Sequence, residues 1–223
     1  MSDYIKVFQH YKPEILKSFL ETLNMLFTSM ILSLIFGLLF GILLFAFRKD
    51  GIKENRLYYF FISSVINIVR SIPFILFIIV MIPINRMLIG TGFGVDASKV
   101  PLSIIGIATY ARFVEQDLLS MIPSLYETSY NLGASKSQYF RHFLLVEARS
   151  NLVLSFTSTC ISLLSYATVM GTIGGGGLGY LAMSEGYHNF NYKLMWILIG
   201  IMVLLVQVIQ SVGQNLASKL DKR

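Results

Sequence analysis

Residues 124–152 read SLYETSYNLGASKSQYFRHFLLVEARSNL. The stretch carries Glu127, Lys136, Arg141, His142, Glu147 and Arg149, while the runs on either side are apolar. A chain that interrupts long apolar runs with one such charged insert surfaces from lipid midway. Ser124 to Glu127 has the form of a capping box, with Pro123 ahead of it, and Ser135 to Gln138 has the same form. Between them Gly133, followed by Ala134, suits a left-handed helix stop. The stretch therefore predicts two short helices joined by a sharp bend. The second sets Tyr139, Phe140, Phe143 and Leu144 on one face, spaced i, i+1, i+4, i+5. Three fates are open to such a face: docking on a partner protein, lying on the lipid surface, or serving as a solvated connector.

Working outward, the 223 residues are 55% hydrophobic and 13% charged, against about 25% charged in an average globular domain. The expected class is an all-α polytopic membrane protein with five transmembrane helices. The spans fall at about 23–47, 57–82, 101–122, 152–172 and 194–212, with a cytoplasmic loop over 123–151. Residues 1–22 form an extracytoplasmic segment and 213–223 a cytoplasmic tail. The first run exceeds a signal-peptide core and lacks a small-residue cleavage site, so it reads as an uncleaved span. The third span is expected to start at Pro101, a favourable first helical residue. Its clean apolar part stops at Ala111, so Arg112, Glu115 and Asp117 are expected to protrude into water.

Orientation follows from Lys and Arg. Segments 48–56, 112–149 and 213–223 hold 11 of them, against 6 on the opposite side. The richer side is cytoplasmic, with the amino terminus outside and the carboxyl terminus inside. That asymmetry accounts for the net charge of +6 without nucleic acid. The single cysteine, Cys160, lies in an apolar run and has no partner for an internal disulfide. His10, His142 and His188 lie in different segments, which argues against a metal site. The run Gly174 to Gly177 continues Leu-Gly-Tyr, with no lysine to reach a phosphate; it reads as a turn rather than a nucleotide cradle.

Span four carries Ser155, Ser158, Thr159, Ser162 and Ser165 on one helical stripe. Such a stripe faces protein or water, either lining a pathway or bonding the preceding turn's carbonyls. Tyr166, Val169 and Met170 sit at its outer end. Arg70 lies inside span two, three residues before Pro73. An arginine at mid-bilayer costs roughly 2.5–3.5 kcal/mol on insertion scales. The proline frees a carbonyl at Val69 that Arg70 would bond; a role beside a substrate carboxylate is the second reading.

Glu127, six residues before Gly133-Ala134, followed by Phe140 or Phe143 and Leu144-Leu145, resembles the EAA loop of type I ABC importer permeases. NIVRSIPFILFIIVMIP (67–83), GTGFG (90–94), VPLSIIGIATYARFVE (100–115) and GTIGGGGLGY (171–180) resemble the methionine-importer permease subfamily, in order and spacing. The subfamily usually has proline where this chain has Val146 and Ser150, and alanines where it has Thr128 and Ser129. The departures bear on the path of the chain into span four.

The resemblance implies a homodimer with its pathway at the interface and two ABC ATPase subunits docked beneath it. An extracytoplasmic lipoprotein or periplasmic binding protein would deliver methionine or a related amino acid. The glycine run would face that binding protein. Glu127, Gly133, Ala134, Phe140, Phe143 and Leu144 would form the ATPase-coupling surface. Ser158, Ser162, Ser165 and Tyr166 would line the pathway, and Val169 or Met170 would meet its symmetry mate at the gate. The chain itself would perform no chemistry and hold no cofactor, ATP and Mg belonging to the ATPase. It would sit in the bacterial cytoplasmic membrane, among lipid. Rivals are the same machine with another cargo, such as a polar amino acid, short peptide or osmolyte, and an ion-coupled secondary transporter, for which Glu115 and Asp117 are the nearest carboxylates. An intramembrane hydrolase would need a base beside span four's serines, and that span has no histidine or lysine.

Overall fold

A computed structural model describes residues 2–49, 51–121, 125, 129 and 131–221 of the chain. Every regular element among the described residues is helical, as hydrocarbon demands of a backbone that must bond within itself. The elements are α1 (Ser2–His10), α2 (Lys12–Phe47, with a π-helical turn at Ser33–Gly37), α3 (Arg56–Ser71), α4 (Phe74–Ile89) and α5 (Val95–Ser120). A short helix α6 follows, made of Lys136–Gln138, a π-helical Tyr139–Leu144 and Leu145–Glu147. Then come α7 (Arg149–Thr172), α8 (Gly177–Leu181, running into a π-helical Ala182–His188) and α9 (Tyr192–Leu220).

By length and apolarity α2, α7 and α9 qualify as membrane spans, and α3 with α4 makes a fourth if that bent pair is one span. The helix around the first expected span starts at Lys12, well ahead of Leu23. The expected span 57–82 is broken into two helices. Pro73 has φ −53° and ψ 131° and caps α4. It offers no N–H to α3, and it drives the preceding residue out of helical conformation. Its own carbonyl accepts from Leu76 and Phe77 at 2.9 and 3.0 Å, starting a new helix.

The third expected span differs at its start. α5 begins at Val95, and Pro101 lies inside it. A proline there leaves the carbonyl four residues earlier without its helical donor. That carbonyl belongs to Ala97, and the fully buried Asn85 donates to it from Nδ2 at 3.1 Å. A side chain from α4 thus replaces the missing backbone bond and lets the helix run through the proline.

The chain divides into two compact units. The first comprises 1–31, 72–104 and 160–209, with a core of Ile15, Leu178, Leu181, Leu194 and Leu198. The second comprises 32–71, 105–159 and 210–223. It has one core of Phe45, Tyr110, Val114, Leu118, Tyr139, Leu144, Ala148 and Leu152, and another around Leu44, Ile66, Ala108 and Ala111. In the second unit α2 meets α5 at Gly37 and Gly41, four residues apart, where the missing side chains allow close approach. A Cβ on Gly41 would lie 2.5 Å from Val114 Cβ and 2.6 Å from the Ala111 carbonyl oxygen.

Gly41→Ala is therefore expected to lose about 1–3 kcal/mol through overpacking. Gly200→Ala, where a Cβ meets nothing within 4 Å, should be neutral by comparison. Thermal unfolding of the purified protein in detergent measures both, and equal midpoints would rule out the close contact.

Candidate functional site

The charged insert is anchored from within. Gly133 has φ 68°, the left-handed stop, and the Ala134 amide donates to the Ser129 carbonyl at 3.0 Å. Ser135 then caps α6 with both arms of a capping box: its hydroxyl accepts from the Gln138 amide at 3.3 Å, and Gln138 Oε1 accepts from the Ser135 amide at 2.8 Å. Glu127, Pro123 and the first expected box, Ser124 to Glu127, lie outside the described residues.

The apolar face of α6 packs inward on its own chain. Leu144 is fully buried and Tyr139 nearly so, in a core shared with Phe45, Val114 and Leu152. Phe140 and Phe143 are half-buried against the same core, and Phe140 stacks on Phe45 at 6.1 Å between ring centroids. The physical reason is the π-helical turn. With i→i+5 bonding, residues five apart come into line, so Tyr139 and Leu144 point together into the chain's own interior. Among the described residues of the insert, Asn131, Leu132, Gly133, Ser135 to Gln138, Arg141, His142 and Val146 are exposed, with Leu132 70% exposed. At the two positions without proline the helix nearly continues: Ala148 and Leu152 amides donate to Leu144 and Ala148 carbonyls at 2.9 Å each. Ser150 donates to the Ala217 carbonyl at 3.1 Å.

The glycine run is a built joint. Gly174, Gly176 and Gly177 have φ between 76° and 81°. The Gly177 amide donates to the Glu21 carboxylate at 2.9 Å and the Leu178 amide to the Thr22 hydroxyl at 2.8 Å, so α2 caps the start of α8. Ser98 donates to the Gly175 carbonyl at 3.2 Å, and the Gly94 amide to the Gly174 carbonyl at 3.0 Å. Beside the joint opens a cavity of about 610 Å³ lined by residues that include Glu14, Lys17, Glu21, Tyr180 and Glu185. Sequence reading missed Glu21, Thr22 and Ser98. Their signal was polarity at helix positions flanking apolar runs, opposite a glycine run full of unsatisfied amides.

On α7, Ser158, Thr159 and Ser165 hydroxyls donate to the carbonyls of Leu154, Ser155 and Ile161. Thr159 is fully buried, Ser162 half-buried, and Ser158 and Ser165 exposed. The stripe thus splits into a packed edge and an open edge. Tyr166 packs on Phe74 at 4.4 Å between centroids. Met170 is only 4% exposed, and its carbonyl accepts from the Gly175 amide at 2.9 Å. It packs within its own chain, and Val169 beside it is half-buried.

The charges of α5 do not protrude into water as expected. Glu115 is 2% exposed. Arg112 Nη1 donates to Glu115 Oε2, and Arg112 Nη2 reaches Ser63 Oγ at 3.0 Å and Asn67 Oδ1 at 2.5 Å on α3. Tyr59 donates to Glu115 Oε1 at 3.1 Å. Ser155 bonds Asp117. Pairing offsets the cost of burial, which is why these charges can leave water. Arg70 is different. It sits in the last turn of α3, exposed, and bonds none of the described residues; the expected carbonyl contact is not made, because α3 ends at Ser71. No group of three His, Cys, Asp or Glu side chains among the described residues is placed to hold a metal.

The single variants Glu115→Gln and Arg112→Gln are each expected to cost about 3–5 kcal/mol, since each strands a buried charge. The double variant should cost clearly less than the sum, read from thermal unfolding in detergent. Strict additivity would mean that the pair is not coupled.

Residues 33–222 match the family described as "Binding-protein-dependent transport system inner membrane component". The chain is 37% identical to a probable D-methionine transport system permease protein of Vibrio cholerae over 79% of this chain and 78% of that one. It is 34% identical to the methionine import system permease protein of Bacillus subtilis, over 81% and 82%. In structure it is similar to a chain of the MetNI methionine ABC transporter in an inward-facing conformation, with TM-score 0.86, 36% identity and coverage of 93% and 96%. A chain of an amino acid ABC transporter shares the fold alone, at TM-score 0.80 and 16% identity.

Proposed function

The chain belongs to the binding-protein-dependent transport system inner membrane components, and from that premise we propose that it is the permease subunit of an ABC importer whose cargo is methionine or a close relative. The observation that carries the reading is the combination of an amphipathic charged insert with a fold shared with a methionine ABC transporter at 36% identity over 93% of the chain. The cargo reading is supported by curated relatives named for methionine transport in Vibrio cholerae and Bacillus subtilis.

In this reading two copies assemble about the open edge of α7, with Ser158, Ser165 and Val169 toward the pathway. Two ATPase subunits bind ATP and Mg and dock on the cytoplasmic insert. The side chains that meet them are those outside the fold: Leu132, the capped turn Ser135 to Gln138, Arg141 and His142. The joint of glycines and its cavity face an extracytoplasmic binding protein. The amino terminus lies outside and the carboxyl terminus in the cytoplasm, following the Lys and Arg count. A secondary transporter needs an intramembrane carboxylate able to exchange a proton or ion. Glu115 is held by Arg112 and Tyr59 instead, which disfavours that rival.

The test is on the insert. Leu132→Asp and Arg141→Glu alter exposed groups and leave the internal core untouched. Both variants should reach the membrane at normal level, while co-purification of the ATPase and ATP-driven methionine uptake in vesicles fall at least tenfold. Normal uptake in both would remove the insert from the docking role.

A further inference from the structure

Helix α3 has a polar side that Arg112 and Glu115 of α5 cover at Tyr59, Ser63 and Asn67 and that lies open at Arg70. Arg56, Tyr59, Ser63, Asn67 and Arg70 recur at spacings of 3, 4, 4 and 3, so they share one helical face. At 1.5 Å per residue the face is about 21 Å long. Other sides of α3 carry Leu57, Phe61, Val65 and Ile68 at 59–64% exposure, as a lipid surface requires. The open end at Arg70 cannot also lie in lipid, because hydrocarbon leaves its charge without a partner.

Within this face every charge but one is compensated. Arg56 pairs with Glu54 at 3.2 Å. The Arg112 guanidinium, laid across Ser63 and Asn67, is neutralised by Glu115. Arg70 alone has neither an ion pair nor a hydrogen bond among the described residues, and it is exposed. A second copy of this chain would carry the same uncompensated cation at its own Arg70. Like charges repel, so self-pairing does not satisfy the residue. An anion from the aqueous side would satisfy it, and a guanidinium binds a carboxylate through two parallel hydrogen bonds.

We infer that the open end of this face meets the water-filled pathway and that Arg70 receives the α-carboxylate of the amino-acid cargo during its passage, with Asn67 and Ser63 holding Arg112 back from the same anion. The inference rests on the amino-acid importer reading above. Arg70 is a binding residue in it, while Arg112 positions the face.

Charge restoration at a cysteine tests it. Cys160 is buried and is the sole cysteine, so Arg70→Cys adds one reactive site to a quiet background. The complete transporter, with ATPase and binding protein, is reconstituted in vesicles and methionine uptake is measured. Arg70→Cys should lose at least tenfold in uptake. A cationic aminoethyl methanethiosulfonate should react with it, methionine should slow the reaction, and uptake should recover at least threefold. Anionic sulfonatoethyl and neutral methyl reagents should react without recovery. Absence of reaction, or equal recovery with the neutral reagent, overturns the proposal. If Arg70→Cys fails to accumulate, Arg70→Lys decides. It should transport with a raised KM and nearly unchanged kcat for ATP-driven uptake, and a variant that accumulates with wild-type KM overturns the proposal. Wild-type vesicles that take up no methionine would instead sink the importer reading, which keeps the two failures apart.

Discussion

Hydrocarbon offers no water to an orphaned backbone group, and that constraint orders most of this structure. At Pro101 and at the glycine run, polar side chains repair the irregular backbone. Pro101 strips the Ala97 carbonyl of its donor, and Asn85 supplies one. The glycine run lifts amides out of helical bonding, and Glu21 and Thr22 accept them. The glutamate adds a favourable charge at the amino end of α8 as well. Ser98 closes the Gly175 carbonyl. Polar residues in the apolar runs are thus placed by backbone need first. Arg70, in the last turn of α3, is a charge that no backbone irregularity or ion pair among the described residues accounts for.

The helical membrane class was legible because apolar runs of spanning length admit little else. The caps of the insert were legible because a capping box is local: Ser135 and Gln138 need only each other. Gly133 was legible for the same reason. Tertiary rescue is what hid the rest. Pro101 reads as a helix start unless one knows that Asn85 will take over the Ala97 carbonyl from another helix. Pro73, by contrast, has no such rescue and breaks the run. The sequence offers no rule that tells one proline from the other.

The fate of an amphipathic face was equally hidden. Tyr139, Phe140, Phe143 and Leu144 define a face, yet periodicity says nothing of what covers it. The π-helical turn rotates Tyr139 and Leu144 inward, and Val114, Leu118 and Leu152 receive them. Likewise Arg112 and Glu115 look like a helix end in water until α3 supplies Tyr59, Ser63 and Asn67. Met170 likewise packs beside Gly175, which its place at the end of the stripe does not reveal.

In the importer reading proposed above, an insert that transmits force has to be stiff where it joins the spans and adaptable where it meets its partner. The buried side of α6 meets the first demand. Leu144 and Tyr139 share one core with Phe45 of α2, Val114 and Leu118 of α5 and Leu152 of α7. Close-packed interiors move as a body rather than deforming, so a push on α6 reaches three long helices together. The exposed side meets the second demand with Ser, Lys, Gln, Arg and His, whose contacts can be remade in water. Had the aromatic face been the docking surface, the insert would have been tied to its partner and loose from its own spans. Burying it inward makes the insert a lever, and the left-handed turn at Gly133 fixes where that lever bends.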